Sequence, residues 1–92
     1  MYSIHFSKKF TKQFKKIARS GVYNIEYIYD VIDLLASGER LPAKFFDHRL
    51  KGNFVNFREC HIYPDLLLIY FIAEKTLMME MIQIGSHSEL FG

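Results

Sequence analysis

Between Asp47 and Asp65, 19 residues hold two histidines, three carboxylates and three cations. These side chains carry the chain's clearest chemistry, which is proton transfer beside positive charge. Histidine takes or gives a proton near neutrality. Glu59 and His61 alternate along a stretch with strand character, so they share a face with Cα atoms about 6.5–7 Å apart. Groups at that separation can flank one reacting phosphate. Arg49, Lys51 and Arg58 could stabilise negative charge developing on it. His48, His61 and His87 fall in three segments that a small sheet can bring to one end, whereas His5 stands alone and reads as structural. The set is compatible with a metal-free phosphodiester-cleaving site. The sequence has no H-x-x-x-H, no cysteine pair, no Asp-rich loop, no phosphate-cradling glycine motif and no G-x-S-x-G. Cys60 lies mid-strand and reads as a core thiol.

The elements that must hold these residues are legible from periodicity. Tyr2, Ile4 and Phe6 alternate with Ser3 and His5, which predicts a first strand. Ser7 is placed to N-cap a helix running from Lys8 to Arg19. At 100° per residue its Lys8, Lys9, Lys12, Lys15, Lys16 and Arg19 gather in one arc, opposite Phe10, Phe14, Ile17 and Ala18. Gly21 stops this helix and Asn24 caps a second one, with Glu26 in its first turn. Ile25, Ile28, Tyr29, Ile32 and Leu35 share the second helix's apolar face; Glu26, Asp30 and Asp33 lie away from it. Gly38 to Gly52 reads as a loop-rich crossing broken by Pro42 and anchored by Phe45 or Phe46. From Phe54 the residues turn to β types. One face is Phe57, Glu59 and His61; the other is Phe54, Asn56, Arg58, Cys60 and Ile62. Tyr63-Pro64-Asp65-Leu66 is a turn signal. Leu66 to Ala73 reads as a buried central strand and Leu77 to Ile84 as another, separated by Glu74-Lys75-Thr76. The residues after Gly85 read as a tail. The order β-α-α-β-β-β predicts an α+β domain over residues 1–92. Two N-terminal helices would pack on a mostly antiparallel four-stranded sheet whose other face is open.

Size and charge narrow the class. Ninety-two residues make one domain with a small core, and fifteen aromatics without tryptophan make that core Phe- and Tyr-rich. One cysteine allows no internal disulfide and fits a reducing, cytoplasmic setting. No signal-like run follows Met1, and the longest apolar run is too short to span a bilayer. The formal net charge is only +2, so the cationic helix face matters more than the total. It is either a solvated face or a phosphate-backbone contact surface.

Three stretches together resemble the YafQ branch of the RelE-type toxins of bacterial toxin–antitoxin systems. They are Phe46-Asp47-His48-Arg49-Leu50-Lys51-Gly52, the run Phe57-Arg58-Glu59-Cys60-His61-Ile62-Tyr63-Pro64-Asp65-Leu66-Leu67-Leu68-Ile69-Tyr70, and Gly85-Ser86-His87-Ser88-Glu89-Leu90-Phe91-Gly92. The likeness covers nearly the whole chain. It implies a microbial-ribonuclease-like fold and a ribosome-dependent, metal-independent endoribonuclease that cleaves mRNA through the ribose 2′-hydroxyl. No cofactor is implied. A cognate antitoxin, of the DinJ-like ribbon–helix–helix type, would neutralise it. The carried-over site is His48, Glu59, His61, Asp65, His87 and Phe91. In it His87 looks like the general acid, Glu59 or His61 the base, and His48 and Asp65 the tuning groups. Phe91 would stack a base. Glu59 stands where many relatives have Asp. The resemblance also favours ribosomal RNA as the partner of Lys8, Lys9, Lys12, Lys15, Lys16 and Arg19. A non-catalytic binding module of the same fold and a ribosome-independent ribonuclease are the competing expectations.

Overall fold

The computed structural model describes residues 1–52 and 56–92. Its elements are β1 (Ser3–Phe6), α1 (Lys8–Ser20), α2 (Ile25–Ala36), β2 (His48–Arg49), β3 (Phe57–Tyr63), β4 (Leu66–Ala73), β5 (Met78–Gly85) and α3 (His87–Phe91). Short 3-10 turns occupy Ala43–Phe45 and Glu74–Thr76. The five strands are ordered β1-β5-β4-β3-β2. β1 runs parallel to β5 and the remaining pairs are antiparallel. The architecture is the expected mixed α+β domain, with one strand more than the sequence pattern indicated. That strand, β2, is two residues long and exists by pairing with the edge of β3. The expected start of the third strand at Phe54 lies outside the described residues.

Helix ends follow local chemistry. The Ser7 hydroxyl accepts from the Phe10 N–H at 2.9 Å, and Gly21 closes α1 at a φ of 70°. Asn24 caps α2 by accepting from Tyr27 N–H at 3.2 Å. Each such cap contributes about 1 kcal/mol. The C-terminal segment, expected as a tail, is the helix α3. Ser86 and Glu89 form a reciprocal capping box there: Glu89 N–H donates to the Ser86 hydroxyl and Ser86 N–H donates to Glu89 Oε1.

Both N-terminal helices cover one face of the sheet. Phe10, Ile28, Val31, Ile32 and Leu35 pack with Cys60, Ile62, Leu66, Leu68, Tyr70, Met79, Met81 and Ile84 in a single core. Burying a side chain of this size contributes about 1.5–3 kcal/mol. Cys60 is a fully buried thiol, as expected, and Met79 and Met81 pack in the core from β5. Tyr29 departs from expectation: it is half exposed against the Phe14 ring, and Val31 takes the buried place. Of the two candidate loop anchors, Phe45 is buried and Phe46 is exposed.

β1 ends opposite Met81, which leaves the following edge of β5 without a partner strand. Side chains of the α1 region take over. The Ser7 N–H donates to Met81 O at 3.0 Å and its hydroxyl to Ile82 O at 2.7 Å. Ile84 N–H then donates to Gln13 Oε1 at 2.8 Å, and Gln13 Nε2 donates to Gln83 Oε1 at 3.2 Å. Backbone groups that would otherwise be desolvated without partners are thereby satisfied.

Candidate active site

Residues paired across strands project to the same face. His48 pairs with Glu59, Glu59 with Ile69 and Ile69 with Gln83; in the neighbouring row His61 pairs with Leu67 and Leu67 with Gly85. These two rows lie on the face away from α1 and α2. Its centre is not bare, as Leu67 and Ile69 are buried and form an apolar floor. On it sits Glu59, the one buried charged residue among the described residues, 6% exposed. Its Oε1 lies 3.3 Å from His61 Nε2 and 3.6 Å from His48 Nε2.

The loop before β2 fixes one of these imidazoles. His48 Nδ1 is 2.6 Å from the Phe46 carbonyl oxygen, an acceptor, so Nδ1 carries the hydrogen. Nε2 is then the nitrogen that faces Glu59. Phe46 adopts a left-handed conformation, φ 48°, which is uncommon for a non-glycine residue. Asp47 holds the next turn of chain: it accepts from the Tyr70 hydroxyl and from Arg58 Nη2, the latter at 3.2 Å. Burial pushes the Tyr70 hydroxyl well above its ordinary pKa, and the bond to Asp47 reinforces this.

α3 comes to the same face from the other flank. A Cβ added to Gly85 would stand 3.3 Å from Leu90 Cδ2 and 3.1 Å from Glu89 Oε1, so this helix lies on the side of Leu67 and His61. It carries His87 and Phe91, both exposed, their rings 5.1 Å apart. The Ser86 backbone N–H, then the Ser86 hydroxyl, hold the Glu89 carboxyl below its usual pKa, with help from Lys16.

The expected site residues therefore separate into groups. His48, Glu59 and His61 are in mutual reach, and His87 and Phe91 form a second pair at the same end of the sheet. Asp65 sits in the β3–β4 turn, where it accepts from Tyr23 Oη at 2.9 Å. Burial and then this bond push the Tyr23 hydroxyl up. Arg49 and Arg58 pair in register with each other and project to the opposite face from Glu59. Arg58 braces Asp47 there, and together with Lys75 the two arginines border a separate concave surface. Lys51 is exposed, as are all six cations of α1. Sequence reasoning overlooked Tyr70, hidden in an apolar run, and Phe46, whose conformation no residue type announces.

This α+β domain, with its acid–base cluster on the sheet face away from α1 and α2, falls by comparison among the toxins of type II toxin–antitoxin systems. Residues 2–92 match the family described as bacterial toxin of type II toxin-antitoxin system, YafQ, and the chain belongs to that family. It is 32% identical over 90 residues to the mRNA interferase toxin YafQ of Escherichia coli K12, covering 97% of this chain and 95% of the relative. The crystal structure of a metal-bound toxin from Helicobacter pylori superimposes with a TM-score of 0.92 at 43% identity, over 99% of this chain and all of that one. The E. coli DinJ–YafQ complex gives a toxin chain at TM-score 0.87 and 28% identity, each chain covered in full. Among the described residues no group of three or more His, Cys, Asp or Glu side chains is set to hold a metal ion. No described helix is long and apolar enough to cross a membrane.

Proposed function

We infer that this YafQ-family toxin is an endoribonuclease that cleaves mRNA on the ribosome and is silenced by an antitoxin of the DinJ kind. The observation that carries the reading is the Glu59 carboxylate, within 3.3 Å of His61 and 3.6 Å of His48, on the same sheet face as α3. In the reaction the ribose 2′-oxygen attacks phosphorus and the bond from phosphorus to the 5′-oxygen breaks. The Glu59–His61 pair accepts the 2′-hydroxyl proton, with His48 as a neighbouring reservoir. His87 gives a proton to the departing 5′-oxygen. The products are a 2′,3′-cyclic phosphate and a free 5′-hydroxyl. Two positioned acid–base groups suffice for this exchange, and each contributes about 10²–10⁴-fold. Phe91 supplies a flat surface for a neighbouring base, and Asp65 tunes the end of the site through Tyr23. The exposed cations of α1 form a phosphate-binding face suited to ribosomal RNA. Arg49, Lys51 and Arg58 serve more distant phosphates, because the two arginines project away from Glu59.

The test maps new mRNA 5′ ends in a defined translating mixture, beside naked RNA and a His87→Ala variant. Cuts confined to ribosome-bound codons, and absent in the variant, support the reading. Cuts of equal rate in naked RNA make the enzyme ribosome-independent. No cuts from folded protein leave a binding module.

A further inference from the structure

We propose that the groove beside Phe46 is a second nucleobase subsite, which receives the base on the far side of the scissile phosphate from Phe91. The proposal rests on the ribonuclease reading and deepens it.

The groove encloses about 440 Å³ and is lined by Tyr27, Lys44, Phe45, Phe46, His61 and Tyr63, among others. It is continuous with the candidate site, because His61 belongs to both. Its walls are aromatic. The Phe46 ring meets the His61 ring edge-on at 5.6 Å, and Tyr27 lies 5.2 Å from Tyr63. Lys44 stands at the rim with its Nζ 5.1 Å from the Phe45 ring, the right charge for a phosphate attached to a base held inside. Unpaired bases are held on such surfaces by stacking, which tolerates any base.

Phe46 itself is the second argument. It is 66% exposed and left-handed, so neither burial nor backbone preference selects a phenylalanine there. Glycine would adopt this backbone more easily. A large ring kept in a strained, solvent-facing position beside a catalytic imidazole is explained by what it touches in the complex. The strand order supplies the geometry. Phe46 precedes β2 on one flank of β3, and Phe91 follows β5 on the other. A dinucleotide laid across Glu59 and His61 thus meets one ring on each side.

The experiment measures kcat/KM for message cleavage on programmed ribosomes, over a panel of codons, for the wild type and Phe46→Ala, Phe46→Leu, Phe46→Tyr and Phe46→Gly. Thermal midpoints and antitoxin affinity are measured alongside. The expected result is a loss of at least about fivefold in the Ala, Leu and Gly variants, the low end for one stacked base, with Tyr within about twofold of wild type. Phe46→Gly should keep or raise the thermal midpoint while losing rate, which a merely structural ring would not do. Ala and Leu variants that cut every codon at the wild-type rate would overturn the subsite. So would a Gly variant whose rate falls only as its fold is lost, or variants that lose antitoxin binding while cleavage is unchanged. A folded wild type that cuts no message fails the ribonuclease reading itself, and the subsite with it.

Discussion

His61 Nε2 stands 3.3 Å from Glu59 Oε1, from a position two residues further along the same strand. The carboxylate is buried, and a proton leaving it would reach solvent through an imidazole, that of His61 or that of the more exposed His48 at 3.6 Å. Replacing Glu59 with Gln keeps the shape and removes the charge. Cleavage on ribosomes should fall about 10²–10⁴-fold while urea denaturation shows a folded protein. A Gln variant as fast as wild type would remove Glu59 from the proton path.

His87→Ala should also cost about 10²–10⁴-fold in rate. His87 is exposed in the first turn of α3, and alanine is a better helix former, so the thermal midpoint should not fall. Release from growth arrest in cells lacking antitoxin gives the same answer in vivo.

Gly85→Ala tests the placement of α3. The new methyl would press on Leu90 Cδ2 at 3.3 Å and on the Glu89 carboxylate at 3.1 Å, so these two side chains, which seat the helix, must give by a few tenths of an ångström. If His87 is the acid proposed above, misplacing it should lower kcat on the order of tenfold with little change in KM. An unchanged kcat would show that the chemistry does not depend on the seating of α3.

Tyr70→Phe removes a buried hydroxyl and leaves Asp47 with Arg58 as its remaining partner. The expected loss of stability is about 1–3 kcal/mol, read from denaturant unfolding. Phenylalanine fills the same space, so a loss well beyond that range would point to a wider rearrangement of the β2 loop.

The same hydroxyl sets a pH dependence. Its folded pKa is raised, first by burial and then by Asp47, above an ordinary value of 10.0. The contribution to stability is fully present below pH 10 and declines as pH rises past it, because the unfolded chain releases the proton first. Unfolding midpoints measured from pH 8 to 11 should drop more steeply for wild type than for Tyr70→Phe.

Much of this was legible in the chain. Ser7, Gly21 and Asn24 act where their residue types place them, and Leu66–Ala73 is a strand with the predicted ends. Glu59 and His61 share a face because a strand has period two. Other features needed the third dimension. A two-residue strand such as β2 carries no periodicity and depends on the edge of β3. α3 was readable in principle from Ser86 and Glu89, three apart, but five residues are too few for an apolar pattern. The turning away of Arg58 follows from strand alternation, yet its pairing with Asp47 depends on how the preceding loop folds back. Gln13, polar in a helix that faces the sheet, gave no sign that it would bond to β5.

That last contact bears on how the protein behaves in company. An unpaired strand edge is a template for a strand of another molecule. Past Met81 the edge of β5 is already occupied by Ser7 and Gln13, and at the opposite side of the sheet the outermost strand is only two residues long. Copies of this toxin meeting in a crowded solution therefore cannot zip together along β5 past Met81, and Gln13→Ala would reopen that stretch.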